Sequence, residues 1–310
     1  MTLQQLEYAL ALAKHGSFRK ASESMYISQP GLSLQIQKLE ESLGIILFDR
    51  SKSPIKPTKD GEVFLIRAED LVIRSHQLQD FVEGIGNDYL GKLSVGIIPT
   101  LAPFLVPLFI EDLLKDYPEF EIDIQEMITE EVIRNVRSGD IDLGIISTPI
   151  SVFGIDSTPI FYERFYFYTA NEIDTSSISI HSVNYENLWI LNEGNCFRDQ
   201  INDFCDLKET RKNRQFNYHS NSIDALIRIV DNKGGLTILP ELTTLTLQAD
   251  QEEKISLIEN KAREIGMITR VGFDKRRFSE KLSEYIQSHI PKHMLTAENL
   301  EVVDPGIEMN

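Results

Sequence analysis

The spacing of apolar positions changes along this 310-residue chain, and those changes divide it into segments. Leu3, Leu6, Leu10 and Ala13 recur at helical spacing and stop at Gly16, which predicts a first helix. Phe18, Ala21 and Met25 mark a second, short one. Ser28 is placed to cap a third, with Pro30 in its first turn, where a missing N–H costs nothing. Leu32, Ile36, Leu39 and Leu43 form the inner face of that helix and Gly44 ends it. Ile45–Phe48 then reads as a short strand, and residues 50–56 as a tight basic turn. Thr58 caps a long helix running to about Ile85. Along it Phe64, Ala68, Leu71, Ser75, Leu78, Val82 and Ile85 alternate in steps of four and three. Such a heptad stripe predicts contact between two chains, although a helix packed in a globular core shows the same face. Gly84, Gly86 and Gly91 around its end read as a hinge.

Beyond residue 89 the period changes. Short apolar runs alternate with helical patterns, the strands being Leu93–Ile98, Ile122–Ile128, Leu143–Ser147, Phe165–Tyr168, Trp189–Leu191, Leu236–Leu239 and Ile265–Arg270. This alternation predicts an α/β body with mostly parallel sheets, and a break near residue 160 predicts two lobes. The acidic tail, residues 298–310, reads as poorly ordered and without a role.

Helix, short turn, helix is a helix-turn-helix pattern. Ser28, Gln29, Pro30, Ser33 and Gln37 fall at the start and outer face of the third helix, where small polar groups reach base edges and phosphates. Arg50, Lys52 and Lys56 form a basic wing suited to backbone phosphates. Charge agrees with this placement. The chain carries −17 overall, yet residues 1–60 hold eight basic and six acidic side chains, leaving −19 on the rest. A mildly basic end on an acidic body fits a DNA-reading module attached to something else.

The two cysteines, Cys196 and Cys205, lie nine residues apart. The segment between them reads as helix, from Phe197, Ile201 and Phe204, with Gly194 as a break and Asn195 as N-cap. Nine helical residues rise about 13 Å, whereas a disulfide needs Cα atoms within about 7 Å. The sulfurs therefore cannot bond while that helix stands, and a bond would require it to melt. Cys196, at the helix start near Arg198, is placed to react as a thiolate, with Asp199 and Gln200 close by. The alternative is two buried, inert thiols. No phosphate-binding glycine loop follows a strand, no metal-ligand cluster stands out among the six scattered histidines, and no cofactor is expected. No stretch has the length of a membrane span and the N-terminus does not read as a signal peptide, so a cytoplasmic location is expected, where a disulfide would be transient.

The N-terminal 88 residues resemble the LysR-type transcriptional regulators. The matching motifs are Ser28-Gln29-Pro30-Gly31-Leu32-Ser33, Lys38-Leu39-Glu40, Leu43-Gly44, Leu47-Phe48-Asp49-Arg50 and Thr58 with Gly61. Leu34 stands where the family often has a polar or basic residue, a departure that bears on which bases are read. Residues 194–200 with Cys205, Ile98-Pro99-Thr100, Thr129 and Arg263-Glu264-Ile265-Gly266 resemble the OxyR-type peroxide sensors of that family. The resemblance spans essentially the whole chain. It implies a winged helix-turn-helix over 1–58, a linker and dimerisation helix over 59–88, and a two-lobed, periplasmic-binding-protein-like (type 2) regulatory domain over 89–305. One lobe would take 92–162 plus 266–300 and the other 163–265. It implies that Cys196 is the peroxidatic residue and Cys205 the resolving one. Thr100, Thr129, Asn195, Arg198 and Asp199 would bind or activate peroxide, although such sensors commonly carry His where this chain has Asn195. The implied partners are dyad-symmetric double-stranded DNA, further copies of the chain in a dimer or tetramer, RNA polymerase, and a thioredoxin- or glutaredoxin-type reductant. Two rivals follow: a regulator with a metabolite in its cleft, and a thiol peroxidase. The second is disfavoured by Trp189 and Glu193, where peroxiredoxins have Pro and Thr or Ser.

Overall fold

The computed structural model describes residues 1–84, 92–170, 188–192, 194–205, 220–273 and 276–307. The expected hinge at Gly86 and Gly91, together with Ile85 and Glu193, lies outside the described residues, and the Val82 side chain is likewise not described. The chain forms two units, Met1–Gly86 and Asn87–Asn310.

In the first unit, α1 (Leu3–His15), α2 (Phe18–Ser24) and α3 (Gln29–Leu43) enclose a core containing Leu6, Leu12, Ala21, Leu32, Ile36 and Leu39. The local signals act as expected. Ser28 Oγ accepts from Gly31 N at 3.2 Å, and Gly16 and Gly44 close α1 and α3 in the left-handed conformation. Thr2 adds a capping box with Gln5 at the start of α1. The expected strand shortens to β1 (Phe48–Asp49), which pairs antiparallel with β2 (Lys56–Pro57), so residues 50–55 form the wing loop. Thr58 Oγ1 accepts from Gly61 N at 3.0 Å and donates to Ile46 O at 2.7 Å, which starts α4 (Lys59–Gly84) against β1. A Cβ on Gly61 would lie 2.1 Å from Leu47 O, so only glycine permits this approach. The α4 stripe divides in two. Ala68 is buried in the unit's own core and Phe64 packs against it, while Leu71 and Leu78 are 50% and 66% exposed; the core also takes Leu65 and Val72, which lie outside the stripe.

In the second unit one seven-stranded sheet has the order β4-β3-β5-β8-β6-β7, with β9 added alongside β8. Its strands are β3 (Lys92–Ile97), β4 (Glu121–Glu126), β5 (Leu143–Thr148), β6 (Ile155–Thr169), β7 (Leu236–Pro240), β8 (Ile255–Arg270) and β9 (Glu301–Val302). Helices α5 (Ala102–Asp116) and α6 (Thr129–Ser138) join β3 to β4 and β4 to β5. Later in the chain come α7 (Cys196–Cys205), α8 (Ile223–Lys233), the short α9 (Glu241–Thr244) and α10 (Ala249–Glu252), and α11 (Arg276–His289).

Three expectations are corrected here. The sheet is not mostly parallel: β3–β4, β3–β5 and β8–β9 are parallel, but β5–β8, β6–β7 and β6–β8 are antiparallel. Helical crossovers enforce parallel pairing only where they join adjacent strands, and β6 follows β5 without one. There is no chain break near residue 160, since β6 and β8 are 15 and 16 residues long and run side by side through the whole sheet. Their pairing shifts instead, between Pro159 and Phe161 and between Arg164 and Tyr166. The third correction concerns the tail. Glu301–Val302 pair with Lys261 and Ala262, Val303 is 5% exposed, and Ile307 packs on the core. Trp189–Leu191 also makes less than a strand, with one bridge from Leu188 to Leu236.

Candidate functional site

The stretch of β6 between its two pairing shifts places Glu163 directly opposite Arg263 on β8. Both side chains are 0% exposed. Arg263 Nε donates to Glu163 Oε1 at 2.7 Å and its Nη1 to Thr100 Oγ1 at 3.0 Å. Leu242 N donates to Glu163 Oε2 at 3.1 Å. Burial pushes the Glu163 carboxyl upward against the opposing pull of Arg263 and the Leu242 amide. The guanidinium carbon sits 4.9 Å from the centre of the Phe197 ring, which stacks on Phe165 at 5.5 Å. The buried pair thus reaches Thr100 after β3 and the first turn of α7.

Cys196 opens α7 and Cys205 closes it; both are buried and neither is in a disulfide. Asn195 Oδ1 accepts from Phe197 N at 3.1 Å, capping the helix as expected. Thr129, the first residue of α6, hydrogen-bonds the Cys196 sulfur, so two helix N-termini meet at one thiol. The expected bias toward thiolate is nevertheless reversed. Burial pushes the Cys196 thiol above the usual range, and the Thr129 bond, the Arg263 charge and the Phe197 amide only partly oppose it, while the Asp199 charge adds to the rise. The buried cation beside the thiol is Arg263, whereas Arg198 is half-buried. Gln200, one turn after Cys196 and 0% exposed, donates from Nε2 to Ser147 Oγ at 3.2 Å and to Val303 O at 2.8 Å.

Arg263 therefore links Thr100 to the neighbourhood of Cys196, whose sulfur Thr129 bonds and whose helix Asn195 caps. Asp199 is exposed at the edge and acts on the thiol through its charge. Arg263 and Glu163 received no role from the sequence. Arg263 stands among Glu259, Asn260, Lys261 and Glu264, so its local sequence does not set it apart from solvated strand residues. Alkylation of Cys196 by iodoacetamide in the reduced protein should accelerate with pH and still be rising where an ordinary cysteine has levelled off. Thr129→Val should slow it at pH 8, because the thiolate loses a donor. A rate that plateaus near neutral pH, followed by mass spectrometry of the Cys196 peptide, would refute this electrostatic account.

Beyond this cluster, a cavity of about 430 Å³ is lined by Pro99, Phe104, Met127, Ser220, Asn221 and Asp224, among others. Among the described residues no cluster of His, Cys, Asp and Glu could hold a metal, and no helix is long and apolar enough to cross a membrane.

In the first unit Ser28, Gln29, Pro30 and Gln37 are exposed along one side of α3, and Ser33 is half-buried. Ser28 is engaged as a cap, and Gln37 Nε2 donates to Glu41 at 2.9 Å. On the wing, Lys52 and Lys56 are exposed. Arg50 pairs with Glu40 at 2.8 Å, and Glu40 also accepts from Leu47 N and Phe48 N, holding β1 against α3. Residues 3–62 match the bacterial regulatory helix-turn-helix domain of the LysR family, and residues 86–290 match the LysR substrate binding domain. The chain belongs to the LysR family. As a LysR-family transcriptional regulator it is not an enzyme, which removes the thiol peroxidase reading, and its helix-turn-helix domain implies DNA binding.

This LysR-family chain is 27% identical over 295 residues to a hydrogen peroxide-inducible genes activator of Haemophilus influenzae, covering 94% of this chain and 97% of that one. The structure of a full-length OxyR variant from Pseudomonas aeruginosa is 28% identical, with a TM-score of 0.69 over 94% of this chain and 99% of the other. Similarity at the same level, 28% over 275 residues, extends to the HTH-type transcriptional regulator EstR of Acinetobacter baylyi, covering 87% of this chain and 90% of EstR. Identity alone therefore does not single out the peroxide-inducible activators among the relatives of this LysR-family protein.

Proposed function

We propose that this LysR-family regulator senses hydrogen peroxide through Cys196 and Cys205 and controls oxidative-stress genes from the cytoplasm. The observation that carries the reading is a helix that begins at one cysteine and ends at the other, with the first buried against Thr129 and beside Arg263. The names of the relatives support it. The Cys196 thiol first loses its proton. The thiolate then attacks one oxygen of the peroxide, the O–O bond breaks, and the leaving hydroxide takes up a proton to become water, leaving a sulfenic acid. Thr100 and Thr129 hold the peroxide, and the Arg263 charge stabilises the thiolate and the departing hydroxide. Once α7 has melted, Cys205 attacks the sulfenic sulfur, forms the disulfide and expels the second oxygen as water. A thioredoxin- or glutaredoxin-type dithiol restores the reduced form. The regulator pairs through Leu71 and Leu78 of α4, binds a dyad-symmetric site through α3 and the wing, and acts on RNA polymerase.

Non-reducing peptide mapping after sub-stoichiometric peroxide tests this reading. The expected product is a Cys196–Cys205 disulfide, with sulfenic acid trapped on Cys196 in Cys205→Ser. Two thiols still reduced at micromolar peroxide would overturn it. The cavity beside Pro99 and Asn221 favours a second reading, a regulator whose signal is a small metabolite. Ligand-dependent thermal stabilisation of a cysteine-free variant would support that instead.

A further inference from the structure

We infer that the C-terminal strand β9 is a strap held by Gln200 and released when α7 melts to form the disulfide. The inference rests on the reading that Cys196 and Cys205 can bond. Three elements meet at one place. Val302 pairs with Ala262, and Val303 N donates to Ala262 O at 2.8 Å, next to Arg263. Glu301 forms an ion pair with Lys261. Val303 O, in turn, accepts from Gln200 Nε2, a fully buried amide four residues after Cys196 and five before Cys205.

Gln200 therefore sits at the middle of the segment that must leave the helix. Closing about 13 Å of helical rise to the 7 Å a disulfide allows changes the backbone on both sides of residue 200. Its amide cannot then keep both Ser147 Oγ and Val303 O, which belong to the undisturbed sheet and to the strap. The strap's other ties are its two-residue pairing with β8, the Glu301–Lys261 ion pair and the packing of Val303 and Ile307 on the core. Without Gln200, the Val303 carbonyl at a 5% exposed residue loses its partner, and an unpaired buried acceptor disfavours the docked state. Release uncovers the free edge of β8 at Lys261 and Ala262 and frees residues 301–307, so a bond made inside the unit changes its surface.

Coupling of this kind is reciprocal. If bonding Cys196 to Cys205 loosens the strap, weakening the strap must favour the bond. The test uses the full chain in a glutathione buffer, where glutathione disulfide takes two electrons and two protons from the dithiol and yields two glutathiones. Hydrogen exchange of the 301–307 amides should speed at least about tenfold in the disulfide form. Val303→Asp should shift the thiol–disulfide equilibrium about tenfold toward the disulfide. Glu301→Lys, at a position where side-chain charge faces solvent, should shift it the same way by about two- to threefold and keeps the test open if Val303→Asp fails to fold. A disulfide with unchanged exchange, or an equilibrium unmoved by a folded variant, overturns the strap. Wild-type protein that forms no disulfide in this buffer overturns it as well. Because glutathione disulfide is the oxidant, a cysteine pair inert to peroxide but bonded here defeats the peroxide reading while leaving the strap decided by its own data.

Discussion

Arg263→Ala should destabilise the second unit by about 3–5 kcal/mol in urea unfolding at pH 7–8. The substitution leaves Glu163 at zero exposure with its charge uncompensated, and Thr100 Oγ1 without its donor. The cost should depend on pH with a definite sign. Without the guanidinium, burial holds the Glu163 carboxyl still further above its unfolded value. The folded state then binds a proton more tightly than the unfolded chain, so the variant recovers stability as pH falls toward the ordinary carboxylate range, about 4.3, and loses it as pH rises through the folded value. The double replacement Arg263→Met with Glu163→Leu should regain most of the loss, because exchanging a buried pair for apolar side chains is often neutral or favourable. It should not regain the reactivity of Cys196, whose thiolate would lack its buried cation. A fully active double variant would show that the pair serves stability alone.

Cys196→Ser should reduce the peroxide response to background. In a DNA-binding or reporter assay the variant should behave as locked in the reduced state, with no disulfide by mass. Cys205→Ser should differ from it, since the first oxidation step remains possible and the sulfenic acid accumulates. The reduced thiol is held protonated by burial, so the rate of that step should rise with pH until the thiol is ionised. Wild-type behaviour of Cys196→Ser under peroxide would remove the cysteine pair from the mechanism. The family assignment and the DNA-reading head would remain untouched, because neither depends on sulfur chemistry.

The parts legible from sequence were those set by neighbours three or four residues apart. Ser28, Thr58 and Asn195 cap the helices they were expected to cap, and Gly16 and Gly44 end theirs. Hydrogen bonds of this kind close within one turn, so the local residue order suffices to specify them. The α4 stripe was legible as a stripe, but not which of its members the chain would bury for itself. Tertiary structure decided the rest. The antiparallel run of β6 against β8 brings Glu163 to Arg263, one hundred residues away, and Arg263 to Thr100, 163 residues away. The same packing buries Cys196 enough for desolvation to outweigh the helix terminus that was expected to favour its thiolate. Docking of Val303 on Gln200 spans 103 residues and turns a tail with no apparent partner into a strand. No local pattern encodes such distances, because burial and charge pairing depend on which segments the sheet places together.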